Sequence, residues 1–301
     1  MRVAAVDLGT NTTRLLVADV DDGRVETVVR REAITRLGES VDRRRILLPT
    51  SIARVRNVLV DYRRDATELG AERVLAVGTS AVRDAENGEA FLGEIEWSYG
   101  FVTQLLAGEE EAEWTLRGVA SGGPLGHGTL LVDIGGGSTE LLVTGNDGAH
   151  VAVSTEAGSV RLTERFLSEP PSADELETCA TYVRGLLPEL EVSTGVGVAG
   201  TIATAAAIEE TTWIPRDSAA ALVDRLAAMR LEERERVPGL APARAPVIVA
   251  GLVVLREVLD RYGLEGIEVS ERDLLDGIAL AAAELPEPEE GPVPPTAFTC
   301  C

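Results

Sequence analysis

A glycine-lined, acid-tipped hairpin pattern occurs twice in this chain, and few folds accommodate such a repeat. Val6-Asp7-Leu8-Gly9-Thr10-Asn11-Thr12-Thr13-Arg14-Leu15-Leu16-Val17 returns as Val132-Asp133-Ile134-Gly135-Gly136-Gly137-Ser138-Thr139-Glu140-Leu141-Leu142-Val143. In each copy an apolar run (Val3 to Val6, Leu130 to Val132) carries an Asp to a strand end. A polar, Gly-rich turn follows, and a second apolar run (Leu15 to Val20, Leu141 to Val143) leads away. Two hydrophobic runs flanking a short turn are the signature of a hairpin. Glycine lets the backbone come close to a ligand, and successive N–H groups in such a turn form an anion-binding concavity. The candidate phosphate-binding residues are Gly9, Thr10, Asn11 and Thr12 in one loop and Gly135, Gly136, Gly137, Ser138 and Thr139 in the other. Asp7 and Asp133, at matched strand ends, are candidate ligands for Mg²⁺, which takes one or two carboxylates beside waters and substrate phosphates.

A length of 301 residues suits two domains. Ser121-Gly122-Gly123-Pro124 is the natural break, giving segments 1–122 and 123–285. Pro286 to Cys301, rich in Pro and Glu and without periodicity, reads as a disordered tail. Apolar residues make up 45% of the chain and aromatic ones 4%, so the cores must be built from Ala, Val, Leu and Ile. No apolar run approaches the ~20 residues a bilayer requires, and the chain enters a strand at once without a signal-peptide layout. A cytoplasmic protein is expected. The formal charge of −22 excludes nucleic acid and anionic membrane as natural partners, since both require a basic footprint. All 28 basic residues are Arg, which rules out mechanisms using a P-loop lysine or a Schiff base. A phosphate ligand would depend on cations and a few local Arg residues to reverse the field inside the cleft. Cys179 reads as a small buried hydrophobe. His127 and His150 lie in Gly-rich turns away from other ligand-like groups, against a His-based zinc site.

The element order also repeats. After the first hairpin, Arg24 to Arg31 reads as a third strand. Ile52, Val55, Leu59, Tyr62, Ala66 and Leu69 form one helical stripe, stopped by Gly70. A strand at Arg73–Val77, a helix at Glu86–Trp97, a strand at Phe101–Leu106 and a helix from Glu109 complete the first half. The second half has strands at Leu130–Val132, Glu140–Val143 and His150–Ser154, then helices near Val160–Leu167 and Glu175–Leu187. A strand at Val196–Ala199, a helix from Thr201, helices near Ala219–Met229 and Val247–Tyr262, and a strand at Gly266–Val269 follow. Ser270-Glu271-Arg272-Asp273 reads as a capping box opening a last helix, 272–284, which is a candidate to pack back on the first domain. The expected fold is a duplicated α/β protein with a central cleft.

Further segments narrow the class: Val77-Gly78-Thr79-Ser80-Ala81-Val82-Arg83-Asp84-Ala85, Gly108-Glu109-Glu110-Glu111-Ala112, Gly197-Val198-Ala199-Gly200-Thr201, and Val269-Ser270-Glu271-Arg272-Asp273-Leu274-Leu275-Asp276-Gly277. Together with the two glycine loops, in this order, they resemble the exopolyphosphatase / guanosine pentaphosphate phosphohydrolase family of the actin–sugar kinase–Hsp70 superfamily, in its short two-domain form. The likeness runs from about Ala4 to Ala283. It implies two actin-like (ribonuclease H-like) domains, each a mixed sheet flanked by helices, with a cleft between them. There are departures. Where many relatives carry a His, a Gly and an Arg-Ala-Asp, the segment Ala241 to Pro246 keeps only Arg244 and Ala245. Several relatives have a Cys where Ser159 stands, so Ser159 is given no nucleophilic role.

The resemblance implies roles that the residues alone leave open. Glu109, Glu110 and Glu111 could all serve the first helical turn, where acids complement the helix dipole. The Glu directly before Ala112 matches the family's catalytic carboxylate, so Glu111 is the expected base. On a helix it shares a face with Trp114, Thr115 and Gly118, away from the apolar Ala112-Leu116-Val119 stripe. Glu140 is implied as a further metal or water ligand. Arg83, following a strand end and the hydroxyls of Thr79 and Ser80, is placed to bind phosphate bidentately. Gly197–Thr201, ending a strand and opening a helix, suits an anion or nucleotide. The implied activity is Mg²⁺-dependent (or Mn²⁺-dependent), processive release of orthophosphate from the end of inorganic polyphosphate. Alternatives are the same hydrolysis on guanosine pentaphosphate, with the tetraphosphate as related ligand, a small-molecule kinase, or a non-catalytic sensor of polyphosphate or alarmone. A homodimer remains open.

Overall fold

The computed structural model describes residues 1–146 and 150–286. The tail expected to be disordered, with Cys300 and Cys301, lies outside the described residues beyond Pro286. The first sheet is built from β1 (Arg2–Leu8), β2 (Thr12–Asp21), β3 (Arg24–Ile34), β4 (Arg73–Gly78) and β5 (Val102–Leu105), in the spatial order β3-β2-β1-β4-β5. Its helices are α1 (Val41–Arg44), α2 (Pro49–Glu68), α3 (Ser80–Asp84), α4 (Gly88–Tyr99) and, at the end of this half, α5 (Gly108–Ala120). The second sheet uses β6 (Thr129–Ile134), β7 (Thr139–Thr144), β8 (His150–Thr155), β9 (Thr194–Val198), β10 (Trp213–Pro215) and β11 (Gly266–Val269), in the order β10-β11-β9-β6-β7-β8. Its helices are α6 (Ser159–Phe166), α7 (Ala173–Leu186), α8 (Ala199–Glu209), α9 (Arg216–Ala227), α10 (Leu231–Arg234), α11 (Ile248–Arg261) and α12 (Leu274–Glu284). Read outward from β6, the sequence β8-β7-β6-β9-β11 repeats β3-β2-β1-β4-β5, with β10 added at the edge. That edge strand carries no alternating pattern in its three residues, which is why the sequence does not announce it.

The central strands are buried on both faces, and period-two alternation sorts their side chains. Ala4, Val6 and Leu8 join the core under α2 and α4, while Val3 and Ala5 face the opposite core. Leu130, Val132 and Ile134 face the helices from α6 to α11, while Leu131 and Leu142 face away. The helices covering those far faces are exchanged. Helix α5 lays Ala112 and Val119 on the second sheet, against Leu131, Leu142 and Val196. Helix α12 lays Leu275, Ile278 and Ala282 on the first, against Val3, Ala5 and Leu16. The two cross at a glycine contact. A Cβ at Gly118 would sit 2.1 Å from the carbonyl oxygen of Asp273, and one at Gly277 would sit 2.0 Å from that of Trp114. The helix closing segment 1–122 thus belongs by packing to the other sheet.

One expected start is corrected. The last helix begins at Leu274, not 272, and its cap is Asp273, whose carboxylate accepts from the Leu275 N–H at 2.9 Å. Asp276 returns the bond by accepting from the Asp273 N–H at 3.1 Å. Ser270 instead receives the Arg272 N–H, one turn too early to cap α12. Among the described residues no helix is long and apolar enough to cross a membrane.

Candidate active site

Both hairpin loops are closed by the same bond. Gly9 N–H donates to the Thr12 carbonyl and Gly135 N–H to the Ser138 carbonyl, each at 3.0 Å. Further loop carbonyls are engaged behind the loops. Thr35 and Arg36 donate to the Asn11 carbonyl and Gly38 to that of Thr10. In the second loop Ser159 donates to Gly135, and Val160 to Gly136 at 2.8 Å. The loops meet face to face: a Cβ at Gly136 would lie 2.9 Å from Thr10 Cβ, and one at Gly137 would lie 2.4 Å from Ser80 Oγ. Only glycine allows that approach.

Between the loops runs a narrow crevice, about 70 Å³. Asp7, Gly9, Thr10, Asn11, Thr12, Thr79, Ser80, Glu111, Asp133, Gly135, Gly136, Gly137 and Ser138 all line it. Glu111 reaches it because α5 is held between Gly277 of α12 and Ser154 of β8, which closes on Gly108. Three candidate residues stand elsewhere. Thr139 is fully buried, its hydroxyl donating to the Ala157 carbonyl at 2.5 Å. Arg83 donates to the Leu106 carbonyl at 2.7 Å and pairs with Glu111 at 3.4 Å, so it meets the carboxylate and not the loops. Glu140 lies behind the wall, accepting from Ser154 Oγ at 2.8 Å. Ser159 does border the crevice, with its hydroxyl donating to the Gly135 carbonyl at 3.2 Å.

The duplicated hairpins differ in the residue across from the acid. Asp7 pairs in register with Arg14, whereas Asp133 pairs with Glu140. Arg14 Nε donates to Asp7 Oδ2 at 2.9 Å, and its fork also reaches Asp273. Burial pushes the Asp7 carboxyl up, against the pull of Arg14. Among the described residues Asp133 has no such partner. Burial and the Glu140 charge raise it to about 8, with Arg14 opposing. Burial likewise raises Glu140 to about 7, against hydrogen bonds from Ser138 and Ser154. Glu111 is also held well above the carboxylate range by burial and by Glu140 and Asp133, with Arg83 opposing. Asp273 goes the other way. Burial resists its charge, but Arg14 and Arg30 and the Leu275 N–H hold it low.

Among the described residues, the buried side-chain polar atoms without a hydrogen-bond partner are Asp7 Oδ1 and Glu140 Oε2. No trio of His, Cys, Asp or Glu is gathered as a ready-made metal-ligand group among them. Hard oxygen donors, single free carboxylate oxygens and mutual repulsion nevertheless fit Mg²⁺, which draws much of its shell from water and substrate phosphate. Thiolate or imidazole-loving metals do not fit. Sequence reasoning missed Arg14 and Asp273 as site residues. Arg14 sat in the repeat, opposite Asp7, but its second partner is 259 residues away. Arg244 was also missed: it lies against Gly200 and bonds Glu32 at 2.6 Å, with one edge on the crevice.

Two mixed sheets flanked by helices, with exchanged covering helices and paired glycine loops closing on a crevice, define a protein of the actin-like fold. Residues 16–284 match the Ppx/GppA phosphatase family, and the chain belongs to it. Exopolyphosphatase 2 of Mycobacterium tuberculosis is 38% identical over 94% of this chain and 98% of its own length. The solved structure of the Aquifex aeolicus Ppx/GppA family member superposes with a TM-score of 0.76, at 30% identity, covering 94% of this chain and 97% of that one. An exopolyphosphatase from Cytophaga hutchinsonii gives a TM-score of 0.84 at 28% identity, covering 92% and 96%.

Proposed function

We propose that this chain is an exopolyphosphatase that removes orthophosphate processively from the end of inorganic polyphosphate. The observation carrying this reading is the crevice of two matched glycine loops, narrow enough for a terminal phosphate and bordered by one buried carboxylate on α5. Loop N–H groups and the hydroxyls of Thr10, Thr12, Thr79, Ser80 and Ser138, with the Asn11 amide, hold the phosphate oxygens. Glu111 orients a water in line with the departing chain and accepts its proton. The water oxygen bonds the terminal phosphorus as the bond to the rest of the chain breaks. Burial suits Glu111 to that work, because a base is more effective as its pKa approaches the working pH. Mg²⁺, with Mn²⁺ as a substitute, would be held near Asp133, with Asp7 adjacent and Glu140 adding negative charge from behind the wall, and would neutralise charge on the transferred phosphoryl group. Arg14 already answers Asp7, so the second hairpin is the half that calls for a cation.

A second reading has its own support. A cavity of about 970 Å³ adjoins the crevice through Arg14, Gly200 and Arg244, with room for more than a phosphate chain. Hydrolysis of guanosine pentaphosphate would use it. Orthophosphate release from long-chain polyphosphate and from guanosine pentaphosphate, each with Mg²⁺ and with chelator, tests both. Polyphosphate turnover lost on chelation is the expected result. Turnover of the nucleotide alone would favour the second reading, and ligand binding without any release would make the chain a sensor.

A further inference from the structure

Arg161 is a buried cation that the proposed reaction does not use. It lies on α6, 6% exposed, directly behind the second loop. Its backbone N–H donates to the Gly136 carbonyl at 3.2 Å and its Nε to the Gly137 carbonyl at 2.6 Å. The other arm of the fork leaves the second half of the molecule. Nη1 donates to Asp42 at 2.6 Å, and Nη2 to Ser80 Oγ at 3.3 Å and to Asp84. One guanidinium therefore holds the loop of one sheet and three side chains of the other, and Ser80 itself borders the crevice. Almost no space remains around it, about 10 Å³. Arg165, one turn on, adds two more bonds from α6 to Asp42 but, among the described residues, none to the loop. Close approach is built in. A Cβ at Gly158 would strike the Gly136 and Gly137 backbone at 2.2–2.4 Å.

We propose that Arg161 is a positioning residue that makes the orientation of the Gly135–Ser138 loop depend on closure of the cleft. Its planar fork serves both sides at once, which a lysine's point charge does not. When Asp42, Asp84 and Ser80 are in reach, the guanidinium is fixed and holds the Gly137 carbonyl turned back, leaving loop N–H groups for phosphate. When the halves part, the fork loses its anchors and the loop its brace. The inference rests on the phosphate-binding reading of the crevice, but not on turnover.

The test uses the full chain with Mg²⁺ and sodium tripolyphosphate, read by calorimetric binding beside steady-state phosphate release. R161Q and R161K are each expected to weaken tripolyphosphate binding about tenfold or more, with R161K keeping a melting temperature nearer the wild type. D84N, which touches neither loop, is expected to weaken binding as well, and the R161Q/D84N pair to fall short of the sum of the two losses, as coupled residues do. A purely structural ion pair would lower the melting temperature while leaving binding within twofold, and that result overturns the proposal. So does full rescue by R161K, or additivity in the pair. Should R161Q not fold, D84N and R161K still decide. Wild-type binding without phosphate release would defeat the enzymatic reading and leave this inference to the binding arm.

Discussion

Asp7 and Asp133 occupy equivalent places in a duplicated hairpin, yet one faces a guanidinium and the other a carboxylate. The pairing of Asp7 with Arg14 is buried, with side-chain exposures of 6% and 14%. Removing one partner of such a pair leaves an uncompensated charge, at about 3–5 kcal/mol. R14M should therefore lower unfolding free energy by that order in denaturant titrations at neutral pH, and the loss should shrink when Asp7 is also changed to Asn. Glu111, the proposed base, bears on chemistry instead. E111Q keeps size and hydrogen bonding but cannot take a proton, so phosphate release should fall by at least ~10²-fold. Tripolyphosphate affinity should stay within a few-fold, and near-normal turnover would remove Glu111 from the role of base.

Two helices decide whether these residues meet. Helix α5 carries Glu111, and its place is set by a glycine contact with α12 that leaves no room for a methyl group. G277A should drive the helices apart, costing about 1–3 kcal/mol as overpacking does. It should also depress turnover more than the stability loss explains, because Glu111 moves with its helix. Thermal melts and kcat on the same preparation check both. If G277A keeps wild-type turnover, the α5–α12 contact does not position the base. Within the second core, α11 is buried along nearly its whole length, and Leu252 is fully enclosed. L252A should cost about 2–5 kcal/mol by the usual transfer and cavity terms, with little change in tripolyphosphate affinity at temperatures where the variant is folded.

Four acids of the site, Asp7, Glu111, Asp133 and Glu140, all raised chiefly by burial, give the whole molecule a pH signature. A carboxyl whose folded pKa lies above its unfolded value holds its proton more tightly when folded. Its contribution is complete below the unfolded pKa, near 4, and is lost as pH rises through the folded one. For Glu140 and Asp133 that window ends at about 7 and about 8. The metal-free protein should lose melting temperature between about pH 5 and pH 8. D133N should flatten the slope, and Mg²⁺ should recover more stability at pH 8 than at pH 6. Asp273 and Asp42, both held low by arginines, act oppositely, being lost only as pH falls through their depressed values. A melting curve that rises steadily to pH 8 in chelator would contradict the clustered-acid account.

The repeat, most of the order of strands and helices along each half, the apolar runs that carry an Asp to each turn, and the two glycine loops facing one another were legible in the sequence. Each depends on neighbours in the chain: apolar periodicity, an Asp at a strand end, glycine where backbone must pass backbone. Glu111 was legible only through family likeness, since three consecutive acids carry no local distinction. What tertiary structure alone decided is which charges meet. It brought Arg14 to Asp273, Arg161 to Asp42 and Asp84, and Arg83 to Glu111 instead of to the loops, and it carried α5 onto the second sheet. Those pairings join residues tens to hundreds of positions apart. Electrostatic energy depends on separation and burial, and neither is written in the local pattern of a chain.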